Sequence, residues 1–122
     1  MEVVEIKAFV PARDFDLSKR FYQDLGFTIA SSSDDLAYLH AGPCSFLLQK
    51  FYVPEHARNF MMHMLVQDVE AWWRHVEAQR LADRYGVHAA PPEDRPWRIR
   101  DFTLADPTGV LWRIGQNIGP AA

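Results

Sequence analysis

Few side chains in this sequence are placed to make or break bonds. The single cysteine, Cys44, sits in Gly42-Pro43-Cys44-Ser45, a turn signal, with no base or cation beside it to hold a thiolate. It reads as structural. One cysteine also excludes an intrachain disulfide and a zinc site of several thiolates. Among the five histidines, His63 stands apart. In Met61-Met62-His63-Met64-Leu65, alternation puts it on one strand face with Met61 and Leu65. There it is either a hydrogen-bonded core histidine or a ligand contact and weak general base near neutral pH. His75 and His88 read as surface residues, and nothing marks His40 or His56.

The remaining chemistry is that of binding. Lys7 shares a strand face with Phe9 and Pro11, while Ile6, Ala8 and Val10 form a small apolar face suited to packing beneath a helix. A lysine in a concavity needs an anion or a hydrogen-bond partner. At an edge it simply reaches water. Arg100 and Arg113 are of the type that binds a carboxylate, or they pair with Asp101. Trp97 follows Pro96 in a polar loop, where it stacks on a planar ligand, covers the core or makes a dimer contact. Tyr38, Phe46, Phe51 and Tyr52 are pocket candidates or core. Trp72 and Trp73 are adjacent on a helix, so one at most is fully buried and the other marks an interface.

The elements that must position these residues are those of one small domain. The chain has 122 residues, enough for one domain with a real core. Apolar residues make up 48% and charged residues 24%, which excludes disorder and a coiled coil. A net charge of −3 with scattered basic residues argues against a nucleic-acid partner. No apolar run approaches the ~20 residues that span a bilayer. Met1-Glu2-Val3-Val4-Glu5 lacks the basic start and apolar centre of a signal peptide. A cytoplasmic protein with no membrane partner is expected.

Along the chain, Val3 to Val10 reads as a strand ended by Pro11. Asp14 or Asp16 caps a helix with Leu17, Phe21 and Leu25 on one stripe, closed by Gly26. Strands follow at Phe27–Ser31, Leu36–His40 and Ser45–Phe51. Residues 54–59 read as a polar connection. Then come a strand at Phe60–Val66, Asp68, and a helix from Val69 to about Leu81. Tyr85–Ala89 reads as extended and Ala90–Trp97 as a proline-rich loop. Strands Ile99–Ala105 and Val110–Gly115 flank the turn Asp106-Pro107-Thr108-Gly109. The tail from Asn117 to Ala122 should fray. Both halves run strand, aspartate, helix, then three strands. A duplicated βαβββ unit follows, module one at about 3–52 and module two at about 60–116 of a single domain, 1–122. A half of ~60 residues is marginal alone, so the two modules should pack together.

Three segments carry a resemblance to a known superfamily: Phe21-Tyr22-Gln23-Asp24-Leu25-Gly26-Phe27, Met64-Leu65-Val66-Gln67-Asp68-Val69, and Trp97 to Phe102 with Asp106-Pro107-Thr108-Gly109. In this order they resemble the vicinal oxygen chelate superfamily of glyoxalase I, extradiol dioxygenases, fosfomycin-resistance proteins and bleomycin-resistance proteins. The resemblance covers residues 3 to 116. It implies an α+β fold of two βαβββ modules with curved mixed sheets forming a concave cavity, helices outside. In the resembling enzymes four side chains, usually His and Glu, hold a divalent metal. Counting from the motif aspartates and the turn glycine puts those positions at Lys7, Met61, Arg113, and Gln49 (or Leu48 if the register slips by one). Lysine and arginine cannot serve as ligands, and a thioether suits copper(I). The resemblance therefore points to the metal-free branch, similar to bleomycin-resistance proteins: no cofactor, no catalytic residue, and a small-molecule ligand sequestered by a homodimer. Lys7, Phe9, Tyr38, Gln49, Met61, His63, Trp97, Arg100 and Arg113 are the expected ligand-binding residues. The alternative is a glyoxalase- or dioxygenase-like enzyme with a non-standard site. If Lys7 and Arg113 lie unpaired in one partly dry cavity, their repulsion costs several kcal/mol, and a carboxylate or phosphate ligand is one way to relieve it.

Overall fold

The structure, a computed structural model, describes residues 1–119. The first module consists of β1 (Phe9–Pro11), α1 (Phe15–Leu25), β2 (Thr28–Ser32), β3 (Leu36–Ala41) and β4 (Cys44–Gln49). A short helix, α2 (Pro54–Asn59), leads to the second: β5 (Met61–Leu65), α3 (Val69–Ala78), α4 (Leu81–Tyr85), β6 (Ala89–Asp94), β7 (Ile99–Ala105) and β8 (Leu111–Asn117). The two sheets have the same order, β1-β4-β3-β2 and β5-β8-β7-β6. In each, the first strand runs parallel to the last and the other pairs are antiparallel. The duplication expected from the sequence is thus a duplication of topology.

Local chemistry accounts for the elements. Asp14 and Asp68 are the N-caps of α1 and α3, their carboxylates accepting the N–H of Leu17 and Ala71. Gly26 ends α1 at φ 128°, a conformation costly for any side chain. Behind the sheets the stripes of α1 and α3 meet one continuous core drawn from both modules. Its centre is aromatic. Tyr22, Phe27, Phe46 and Trp112 lie with ring centroids 5.0–6.0 Å apart, pairs worth about 0.5–1.5 kcal/mol each beyond their area. The Tyr22 hydroxyl donates to Asp106 Oδ2 at 2.5 Å and accepts from Trp112 Nε1 at 2.9 Å. Asp106 Oδ1 accepts the N–H groups of Thr108, Gly109 and Val110. A tyrosine of the first module is thereby bolted to the β7–β8 turn of the second.

Five local expectations are corrected. The first strand is not Val3–Val10: β1 covers three residues, and Val3, Val4 and Ile6 are exposed. Pro11 ends β1 as its last residue, on an edge strand that can spare its missing donor. Residues 54–59 form a helical turn, started by Pro54 at its first position. The second helix breaks at Arg80, whose backbone is left-handed (φ 53°). Residues 89–94 are a strand despite Pro91 and Pro92, tolerated at an edge where the register shifts between Ala90 and Glu93. The tail expected to fray is ordered through Asn117 in β8, and its last three residues lie outside the described ones.

Candidate functional site

The core takes one face of each sheet and leaves the other open. On the first sheet the register aligns Phe9, Leu47, Tyr38 and Ser31 in one row and Pro11, Gln49 and Leu36 in the next. The alternate residues Val10, Phe46, Leu48 and Leu39 are buried. On the second sheet the rows are Met61-Leu111-Ala105, His63-Arg113-Thr103-Ala90 and Leu65-Gly115-Asp101-Glu93, with Trp112, Ile114, Phe102 and Leu104 buried on the reverse. Large apolar side chains stand in water on the open faces: Phe9 is 52% exposed, Met61 55% and Leu65 53%. A groove of about 300 Å³ runs along Ser31–Ser33, Leu36, Tyr38 and Leu47. Another lies beside Leu65, Gln67 and Gln116.

The sequence-derived residues fall into two groups. In the first module Lys7 reaches over the Tyr38 ring (5.1 Å to its centroid) and pairs with Glu5 at 3.3 Å. The Glu5 carboxylate also accepts from the Tyr38 hydroxyl (3.0 Å) and the Ser45 hydroxyl (2.5 Å). These donors, Ser45 foremost, hold its carboxyl below the usual range. In the second module Asp101 is fully buried although its register points it to the open face. Two arginines cover it: Arg95 Nε donates at 2.8 Å and Arg113 Nη1 at 3.3 Å and 3.4 Å. His63 is exposed and is Arg113's cross-strand neighbour.

Several expectations change here. Lys7 and Arg113 are not two unpaired cations of one cavity, for each has a fixed carboxylate, Lys7 ahead of β1 in the first module and Arg113 on β8 in the second. Among the described residues no hydrogen bond or ion pair joins the two groups. Arg100 is on the helix-facing side of β7, where Glu70 of α3 (2.6 Å) and Asp94 (3.0 Å) take it. Gln49 is on the open face, but equivalent registers match the pair His63–Arg113 with Phe9–Leu47. The fourth counted position is therefore Leu47, two residues from Gln49. Trp97, 61% exposed, stands at the tip of the β6–β7 hairpin. Phe46 is core, and Phe51 and Tyr52 are exposed. Neither Trp72 nor Trp73 is fully buried; Trp73 packs on Phe102. His75 is not a free surface residue, since its Nε2 donates to the Asp24 carbonyl at 2.8 Å.

Sequence reasoning missed Glu5, Ser45, Leu47, Arg95, Thr103 and His88, whose Nε2 lies 3.3 Å from Thr103 Oγ1. Period-two alternation from Arg113's strand partner would have found Thr103. Nothing local signals Arg95, which approaches Asp101 from the hairpin. A divalent metal does not fit the counted positions. They read Lys7, Leu47, Met61 and Arg113, two of them cations already holding carboxylates. Among the described residues no three His, Cys, Asp or Glu side chains come together to hold a metal ion.

Residues 5–114 match the profile of the Glyoxalase/Bleomycin resistance protein/Dioxygenase superfamily. The chain belongs to this superfamily. Within the superfamily it is 30% identical over 115 residues to a bleomycin resistance protein of Klebsiella pneumoniae, covering 88% of each chain. Its fold is that of a bleomycin-binding protein solved in complex with bleomycin, with a TM-score of 0.77, 24% identity, and coverage of 93% of this chain and 98% of that one. It is also that of lactoylglutathione lyase from Agrobacterium tumefaciens, with a TM-score of 0.72, 16% identity, and 93% of both chains covered. The same fold therefore carries a drug-binding protein and an enzyme, so fold alone does not decide between the two roles. Among the described residues no helix is long and apolar enough to cross a membrane.

Proposed function

We propose that this protein binds and sequesters a small organic molecule, without a metal, on the open faces of its two sheets. The observation that carries this reading is the make-up of those faces: exposed Phe9, Met61 and Leu65 beside Tyr38, His63 and Arg113. Apolar surface with a few placed polar groups is the composition of small-molecule sites. The kinship with a bleomycin resistance protein supports a drug of that kind as the first ligand to try, and antibiotic resistance in the cytoplasm as the setting. Lys7, Phe9, Tyr38, Gln49, Met61, His63, Trp97 and Arg113 are the contacts proposed, with Leu47 added and Arg100 assigned to structure.

A homodimer belongs to the same proposal. Val3, Val4 and Ile6 have the pattern of a strand yet stand exposed, and β1 and β5 each have one unpaired edge. A second copy offers edges and apolar faces of the same kind. Light scattering should give twice the 14.1 kDa chain mass; a monomer at micromolar concentration would count against the dimer. The binding reading is tested by a thermal shift of chelator-treated protein with bleomycin. A saturable rise in melting temperature supports it, and a blank result across bleomycin-type drugs and other planar amphipathic compounds removes it. The second reading is an enzyme with a non-standard site. It draws on His63 beside Arg113, with His88 across the same row, and tightly bound stoichiometric metal in the purified protein would favour it.

A further inference from the structure

We propose that Arg113, braced by Asp101 and flanked by His63 and Thr103, recognises an oxyanion, a carboxylate or phosphate group carried by the ligand. The inference rests on the binding role given above to the open face of the second sheet. Asp101 sits on that face and is nevertheless fully buried, because the guanidinium groups of Arg95 and Arg113 lie over it. A guanidinium has five N–H donors in a planar fork. Arg113 gives Asp101 only Nη1, and among the described residues its Nε and Nη2 have no acceptor. Its side chain remains 29% exposed.

The buried carboxylate therefore fixes the fork while leaving part of it directed to a ligand. Around that free edge the register sets further donors: His63 on β5 and Thr103 on β7, the latter with His88 at 3.3 Å. The acidic groups nearby are Asp101, spent on two arginines, and Glu93, 3.5 Å from Arg95 and exposed to water. No carboxylate in the row His63-Arg113-Thr103-Ala90 is available to a cationic ligand group. Met61 and Leu111 in one adjacent row and Leu65 in the other offer apolar contact. The chemistry is that of an amphipathic, preferably aromatic, acid. Guanidinium pairs such groups through two parallel hydrogen bonds, which an ammonium cannot reproduce.

The test is titration of the full chain with phenyl phosphate and, separately, benzoate at low ionic strength, read by NMR of the arginine Nε–H groups. Saturable binding of either probe should move the Arg113 signal. Arg113→Lys, which keeps the charge facing Asp101, should weaken it about tenfold. His63→Gln removes a side chain that makes no hydrogen bond or ion pair among the described residues and should weaken binding about threefold. Arg74→Gln, on the exposed side of α3, should change nothing. The proposal is overturned if neither probe binds saturably, or if Arg113→Lys binds as the parent does. Bleomycin binding that persists while neither probe binds would sink this inference alone. Probes bound at Arg113 with no drug of the bleomycin type bound would instead remove the drug reading.

Discussion

Replacing Tyr22 by Phe should expose how strongly the two modules depend on one hydroxyl. The ring stays, so the aromatic core is kept and no cavity opens. What goes is the donor to Asp106 at 2.5 Å and the acceptor for Trp112 Nε1 at 2.9 Å. All three residues are buried, so neither orphaned group can turn to water. A stranded buried N–H costs about 1–3 kcal/mol and a lost hydrogen bond to a charged group about 1.5–3 kcal/mol. Because Asp106 keeps three backbone donors, the sum should fall near 2–4 kcal/mol. The loss should also depend on pH. Burial raises the Asp106 carboxyl above its ordinary value, against the lowering pull of Tyr22 and the backbone N–H groups. A carboxyl raised in the folded state contributes stability below its unfolded value that is lost as pH rises through its folded value. Without Tyr22 the folded value moves higher still. The deficit of the variant should therefore widen from about pH 4 to pH 7. Urea unfolding at both pH values, followed by tryptophan fluorescence, gives the two differences. A loss below about 0.5 kcal/mol, or one that is the same at both pH values, would refute the reasoning.

Two further predictions concern the floor of the second open face. Gly115→Ala should destabilise by about 1–3 kcal/mol, because its Cβ would stand 2.7 Å from Ile99 Cγ2 and 3.0 Å from Asp101 Cβ; thermal unfolding checks this, and an unchanged midpoint would contradict it. Asp101→Asn removes the carboxylate shared by Arg95 and Arg113. A fully buried pair would lose about 3–5 kcal/mol, but both arginines reach water, so about 2 kcal/mol is expected by urea unfolding, and a stabilised variant would contradict it.

The parts of the fold that could be read from the residues are those decided locally. Asp14 and Asp68 before amphipathic stripes, Gly26 after one, and the Asp106–Gly109 turn each have a short-range cause, and α1 and β7 follow closely. The repeat order carried the topology. What escaped depends on partners distant in the chain. Val3–Val10 has a strand pattern, yet a strand needs a neighbour, and only Phe9–Pro11 finds one in β4. Pro91 and Pro92 look like loop residues until β6 is known to be an edge. At the site, parity matches the register for Met61, His63 and Arg113; Lys7 lies ahead of β1 and reaches Tyr38 from outside the strand. Parity could not show that Asp101 would lie beneath Arg113, or that Arg100, one residue further along β7, would face α3. Counting along β4 ran two residues past Leu47, because the register there is set by β1 and β3 and not by a nearby turn.

The central claim, that ligand is taken up on the open faces of the sheets, is tested most directly by amide NMR of chelator-treated protein titrated with a bleomycin-type drug. The account predicts shifts concentrated at Phe9, Tyr38, Leu47, His63 and Arg113, with the groove behind the sheets at Leu25, Ala71 and Trp72 unmoved. Shifts confined to that rear groove, or binding that appears only when a divalent metal is restored, would contradict it.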